Sequence, residues 1–163
     1  MNKKNTERLF KKYPEFFKYR DDMMASLMCF GFECGDGWYD LINQLCGDIS
    51  KWYNTNRGGI PDDFYVVQVK EKFGSLRFYI TAAPKEIHDM ISVAEQKSYF
   101  ICEKCGKEGK MFYRDDLPWI MTLCDKCLDK HFEERFGRKR NKDEDFISDW
   151  QKENKAPFKI IKV

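Results

Sequence analysis

Two pairs of cysteines, Cys102/Cys105 and Cys124/Cys127, constrain this chain more than any other feature of it. A two-residue spacer lets both thiolates of a pair reach one tetrahedral ion at ~2.3 Å. A second pair then closes the shell with four sulfurs, so the spacing predicts a structural Zn2+ site. Gly106 follows Cys105 and can take the positive φ needed where a knuckle folds its backbone over a metal. After Cys124 and Cys127, Leu128, Phe132, Arg135 and Phe136 recur at helical spacing, which places the second pair in a first helical turn. A knuckle, a hairpin from Met111 to Leu123 and a helix carrying the last two ligands is the order of a treble-clef zinc finger. A plain zinc ribbon is the alternative.

The competing use of paired cysteines is a disulfide. The N-terminal stretch Met1-Asn-Lys-Lys-Asn-Thr-Glu-Arg8 has no apolar run, so neither a secretory signal nor a membrane span is expected. The expected address is cytoplasmic, where thiols stay reduced and paired cysteines serve metals. Cys29, Cys34 and Cys46 fit no ligand spacing and read as small buried apolar residues. His131 reads as a helix-surface residue because four sulfurs already complete a shell.

With 163 residues, the chain has room for one body and an appended finger. A net charge of +2 argues against a surface that grips nucleic acid all over, while leaving room for a local basic patch. The apolar rhythm of Leu9, Phe10, Tyr13, Phe16, Phe17, Met24, Leu27 and Met28 predicts helix over 6–13 and again over 14–30, with Pro14 at a first-turn position. Asp36 is the expected N-cap of a third helix, in which Trp38, Leu41, Ile42, Leu45, Ile49 and Trp52 share a face. From Phe64 the period becomes two and predicts a β-hairpin around Phe73-Gly74 or Gly74-Ser75. Val67, Val69, Phe78 and Ile80 fall on one face, and Gln68, Lys70, Lys72, Arg77 and Tyr79 on the other. Pro84 starts a helix with Ile87, Ile91, Ala94 and Ser98 inward, which runs without a linker into Cys102. The run from Arg138 to Asp145 reads as a solvated connection, Phe146, Ile147 and Trp150 as a short helix, and 158–163 as an edge strand.

The expected fold class is therefore α+β: N-terminal helices packed on a β-hairpin over 1–98, a four-cysteine finger over 99–137, and a charged connection and tail over 138–163.

The phrases Gly31-Phe-Glu-Cys-Gly-Asp-Gly-Trp-Tyr39, Gln68-Val-Lys-Glu-Lys-Phe-Gly-Ser-Leu-Arg-Phe-Tyr79 and Ala94-Glu-Gln-Lys-Ser98, with Trp119 and Thr122-Leu-Cys124 in the finger, carry a resemblance. Over roughly residues 13 to 128 the chain resembles a family of small uncharacterised proteins carried by bacteriophages and prophages. The resemblance implies a mobile-element context, in which small proteins bind a host protein, a nucleic acid or a nucleotide signal. It implies no activity.

The chemistry rests on constellations. Lys70, Lys72 and Arg77 share the hairpin's polar face with Tyr79 alongside, and like charges there need compensation from Glu33, Asp36 or Glu95, or from a bound anion such as phosphate. For a treble-clef nuclease the hairpin would carry a His, and Met111 to Leu123 contains none. The expected function is thus a non-enzymatic, zinc-stabilised interaction protein that binds a host protein or nucleic acid, inhibition of a host system being one such role. The finger helix with Arg135, Arg138, Lys139 and Arg140, or the Trp119 region, would make the contact. The alternative is a receptor or sponge for a small phosphorylated or nucleotide ligand at Lys70, Lys72, Arg77, Tyr79, Glu33 and Asp36. A nucleic-acid-processing enzyme is a more distant third.

Overall fold

The computed structural model describes residues 1–114, 117–141 and 146–147. The elements in chain order are α1 (Lys3–Lys12), β1 (Phe32–Glu33), α2 (Tyr39–Arg57), β2 (Val66–Lys72), β3 (Ser75–Ile80), α3 (Lys85–Ser98), β4 (Lys110–Arg114), β5 (Leu117–Leu123), α4 (Asp125–Phe136) and β6 (Phe146–Ile147). One three-stranded sheet has the order β1-β2-β3 and a second the order β5-β4-β6, so the α+β class holds. No helix among the described residues is long and apolar enough to cross a membrane.

Only the first of the two expected N-terminal helices forms. Asn2 caps α1 by accepting from the Asn5 N–H at 2.9 Å. Residues 14–25 are turns, and a 3₁₀ turn follows at Leu27–Phe30. Two local bonds explain the difference. The Phe16 carbonyl accepts from Val66 N at 2.8 Å, which ties the segment to β2. Asp22 Oδ1 accepts from Met24 N at 2.9 Å, an Asx turn that competes with helix. Phe16, Phe17 and Met28 still reach the core, but Met24 does not.

The β2–β3 hairpin turns at Phe73-Gly74, with φ of 54° and 75° at its two central residues, the pairing of a type I′ turn. The expected face assignment fails at one point. A bulge between Val66 and Gln68 puts Val66 opposite Ile80 and into the core, and leaves Val67 half-buried. An extra residue in one strand resets the parity of everything before it. The outer edge of β3 is covered by α3: Leu76 N donates to Ser98 Oγ at 2.8 Å and Phe78 N to Glu95 Oε1 at 3.0 Å. Two side chains on one helix face thus stand in for a fourth strand. As expected, Ile87, Ile91, Ala94 and Ser98 form the buried face of α3.

The core of this body gathers Leu9, Phe16, Trp38, Ile42, Ile49, Phe64, Leu76 and Ile87, all fully buried. A smaller cluster, Phe112, Leu123, Leu128 and Phe132, packs beside Cys102 between the β4–β5 hairpin and α4. In the tail, Phe146–Ile147 is a strand paired antiparallel with β4, not the short helix its apolar spacing predicts. Trp150 and residues 158–163 lie outside the described residues.

Candidate metal centre and the surfaces around it

Cys102 and Cys105 sit on a turn between α3 and β4, Cys124 is the N-cap of α4, and Cys127 lies in its first turn. Knuckle, hairpin and helix therefore bring the four residues together as their spacing predicts. Their Sγ atoms all lie within 4.8 Å of one another, and Cys105 Sγ is 3.6 Å from Cys124 Sγ. Four sulfurs at ~2.3 Å from a tetrahedral ion would stand ~3.8 Å apart, so the geometry fits a metal ion. The donor chemistry fits too. Burial pushes the Cys102 thiol up, and burial together with Cys105 and Cys124 pushes Cys127 up. Cys124 is pushed up by burial as well, but the Cys127 N–H and the neighbouring sulfurs outweigh it and hold the thiol below its ordinary range. Four thiolates this close need a central cation to ionise together.

His131 does not join the group. Its Nε2 is buried with no hydrogen-bond partner among the described residues, and burial followed by the Lys104 and Arg135 charges pushes the imidazole pKa down. The surface position expected from the sequence is thus only half right. The other cysteines divide: Cys34 and Cys46 are buried, while Cys29 is exposed, contrary to expectation. Burial pushes the Cys34 thiol up to about 12, which leaves it protonated near neutral pH and unsuited to nucleophilic work.

The knuckle is built into the body. Gly37 N donates to the Glu103 carbonyl at 2.7 Å, Gly35 N to Glu103 Oε1 at 2.8 Å, and Trp38 Nε1 to the Ile101 carbonyl at 2.8 Å. On the other side, Thr122 Oγ1 donates to the Gly74 carbonyl at 2.6 Å, docking the tip of the β2–β3 hairpin on β5. From the Gly35-Asp36-Gly37 stretch the sequence suggests only a helix N-cap at Asp36. The glycine pair was the available signal, since glycine also marks sites where two backbones approach closely.

The expected anion site divides between two places. Lys70 pairs in register with Arg77 across the hairpin and with Glu33 of β1, so the charges of these three strands lie in one row. Arg77 is 3.9 Å from Glu95, and Glu33 accepts from Gln68 at 2.7 Å. Lys70 lies 5.7 Å from the Tyr79 ring centroid. Asp36 is elsewhere: it accepts from Asn2 N at 2.9 Å and Asn5 Nδ2 at 3.1 Å, which pins α1. Nor does Asp36 cap α2, whose N-cap position is Trp38, without a side-chain cap bond. Protein carboxylates thus flank the basic row where an anion was the alternative. Arg77→Glu is expected to cost about 1 kcal/mol in chemical denaturation, since the pair is part-exposed. Adding Glu95→Arg should not restore it fully, because the Phe78 N–H then loses its acceptor.

Of the finger's basic residues, Arg135, Arg138 and Lys139 are exposed. Arg140 is not. Its side chain is fully buried, 3.0 Å from Asp125 and 2.9 Å from Asp129, with its guanidinium 5.5 Å from the Phe112 ring centroid. It clamps the chain after α4 back onto the first turn of that helix and is unavailable to a partner. The Trp119 side chain lies outside the described residues. No family model, no curated protein and no solved structure matches this chain.

Proposed function

We propose that this chain is a non-enzymatic protein-binding module in which Cys102, Cys105, Cys124 and Cys127 hold one structural Zn2+ in a treble-clef-like finger, while an apolar surface of the N-terminal body docks a partner protein. One observation carries the docking reading. Within the turn segment, Met24 is 96 % exposed, Met23 63 %, Phe30 61 % and Leu27 39 %. Single exposed apolar side chains are ordinary, but four within eight residues mark an interaction site. Beside them opens a cleft of about 410 Å³ with Phe10, Met28 and Phe32 in its lining and Lys3, Glu7 and Arg20 among its polar residues. Exposed apolar side chains bordered by charged residues are the anatomy of a protein interface, and methionines adapt to varied partners.

The occupant is an apolar side chain of a partner protein, and the resemblance to phage-borne proteins makes a host-cell protein the expected source. Nucleic acid is less well supported, because Glu33 and Glu95 flank the basic sheet row and the net charge is only +2. A photo-crosslinking residue placed at position 24 or 30 of the zinc-loaded protein tests the docking. It should give one discrete adduct from host extract, competed by excess unlabelled wild type but not by Phe30→Asp. The same adduct from position 93 on α3, or competition by Phe30→Asp as strong as by wild type, would refute it.

A further inference from the structure

A second cleft, of about 660 Å³, opens where the C-terminal end of α2 meets the loop before β2 and the start of α3. Tyr53 lines it. Its side chain is only 2 % exposed, yet the hydroxyl has no hydrogen-bond partner among the described residues. The ring is buried while the hydroxyl opens into the cleft, so it is a donor that no protein acceptor competes for. Burial, with Asp63 adding to it, pushes its pKa up, so it remains an O–H donor near neutral pH.

The lining carries charge of both signs. Arg57 lies at the end of α2, Asp62 and Asp63 lie in the loop, and none of the three is in an ion pair among the described residues. The start of α3 adds positive character. Pro84 is its N-cap and supplies no side-chain bond, while Ile87 N and His88 N turn back to the Pro84 carbonyl, so the Lys85 and Glu86 amides stay open. Ile60, Pro61, Ala82 and Ala83 make up an apolar part of the lining. The volume suits a small molecule, and the balance of charge suits a zwitterion better than a dianion.

We propose that this cleft binds a free α-amino acid with an apolar side chain: its carboxylate on Arg57 at the positive end of α3, its ammonium on Asp62 and Asp63, and Tyr53 donating to the carboxylate. The site is independent of the docking surface and of the metal centre. The test is amide NMR of the zinc-loaded, ¹⁵N-labelled full chain, titrated with L-leucine and L-phenylalanine. Phenethylamine and 3-phenylpropionate, each lacking one charge, serve as controls.

Saturable shifts at Gly58, Gly59, Asp62 and Asp63 are expected with the amino acids alone. Tyr53→Phe should weaken them about 5- to 10-fold and Arg57→Ala at least about 10-fold. Arg57 is exposed, so its variant keeps the fold even where Tyr53→Phe does not. Three results would overturn the proposal: no saturable shift at these amides, equal shifts from a single-charge control, or undiminished binding by Arg57→Ala.

Discussion

Removal of the metal, by chelation or by Cys105→Ser, is expected to melt the entire protein rather than the finger alone. The free energy at stake is large: structural zinc contributes on the order of 10 kcal/mol to a small metal-dependent module, as much as the whole stability of a typical domain. The finger cannot loosen in isolation, because its knuckle accepts bonds from Gly37 and Trp38 and its hairpin is tied to Gly74. A loss of even ~5 kcal/mol corresponds to roughly 10–20 °C for a chain of this size. Calorimetry should show one transition in the zinc-loaded protein, and elemental analysis one zinc per chain. Two separated transitions in the wild type would show the finger to be an independent unit, and a folded sample without stoichiometric metal would end the zinc reading.

Gly37→Ala should be nearly as damaging as losing a ligand, although it touches no sulfur. A Cβ at Gly37 would stand 2.1 Å from the Cys102 carbonyl oxygen, 2.4 Å from Gly106 N and 2.7 Å from Cys105 N. All three are backbone atoms of the knuckle, so no side-chain rotation can relieve the clash. The loop or the metal site must move, at an expected cost of about 3 kcal/mol or more. Gly58→Ala is the control. Its φ of +73° makes alanine strained there, at about 1–2 kcal/mol, but nothing lies within 4 Å of the added carbon. If the two variants lose equal stability and bind zinc equally well, the knuckle is not held by the Gly35–Gly37 loop.

Gly106 and Gly37 mark where local sequence stops being informative. Gly106 was interpretable because its neighbour Cys105 belongs to a motif of fixed spacing. Gly37 makes a contact to residues more than sixty positions away, and its pairing with Gly35 signals a close approach without saying to what. The same division runs through the rest of the chain. The buried face of α3, the β2–β3 hairpin and the cysteine quartet were legible because helix period, strand period and ligand spacing are local quantities. The apolar rhythm over 14–25 fits a helix, but the segment is a run of turns because the Phe16 carbonyl is claimed by Val66 from β2. Met24, which belongs to that rhythm, consequently lies on the surface.

By itself, then, the sequence determined which four cysteines gather into one cluster and, but for the bulge at Val66, which faces of its long helix and hairpin are apolar. Tertiary structure alone decided that Asp36 pins α1 instead of capping α2, that Glu33 and Glu95 flank the basic row, and that Arg140 is buried on Asp125 and Asp129. It also decided that Tyr53 lines a cleft, its hydroxyl without a hydrogen-bond partner among the described residues. The physical reason is the same in each case. A polar side chain takes whichever partner the fold brings within about 3 Å, and that depends on long-range packing, which no local period encodes.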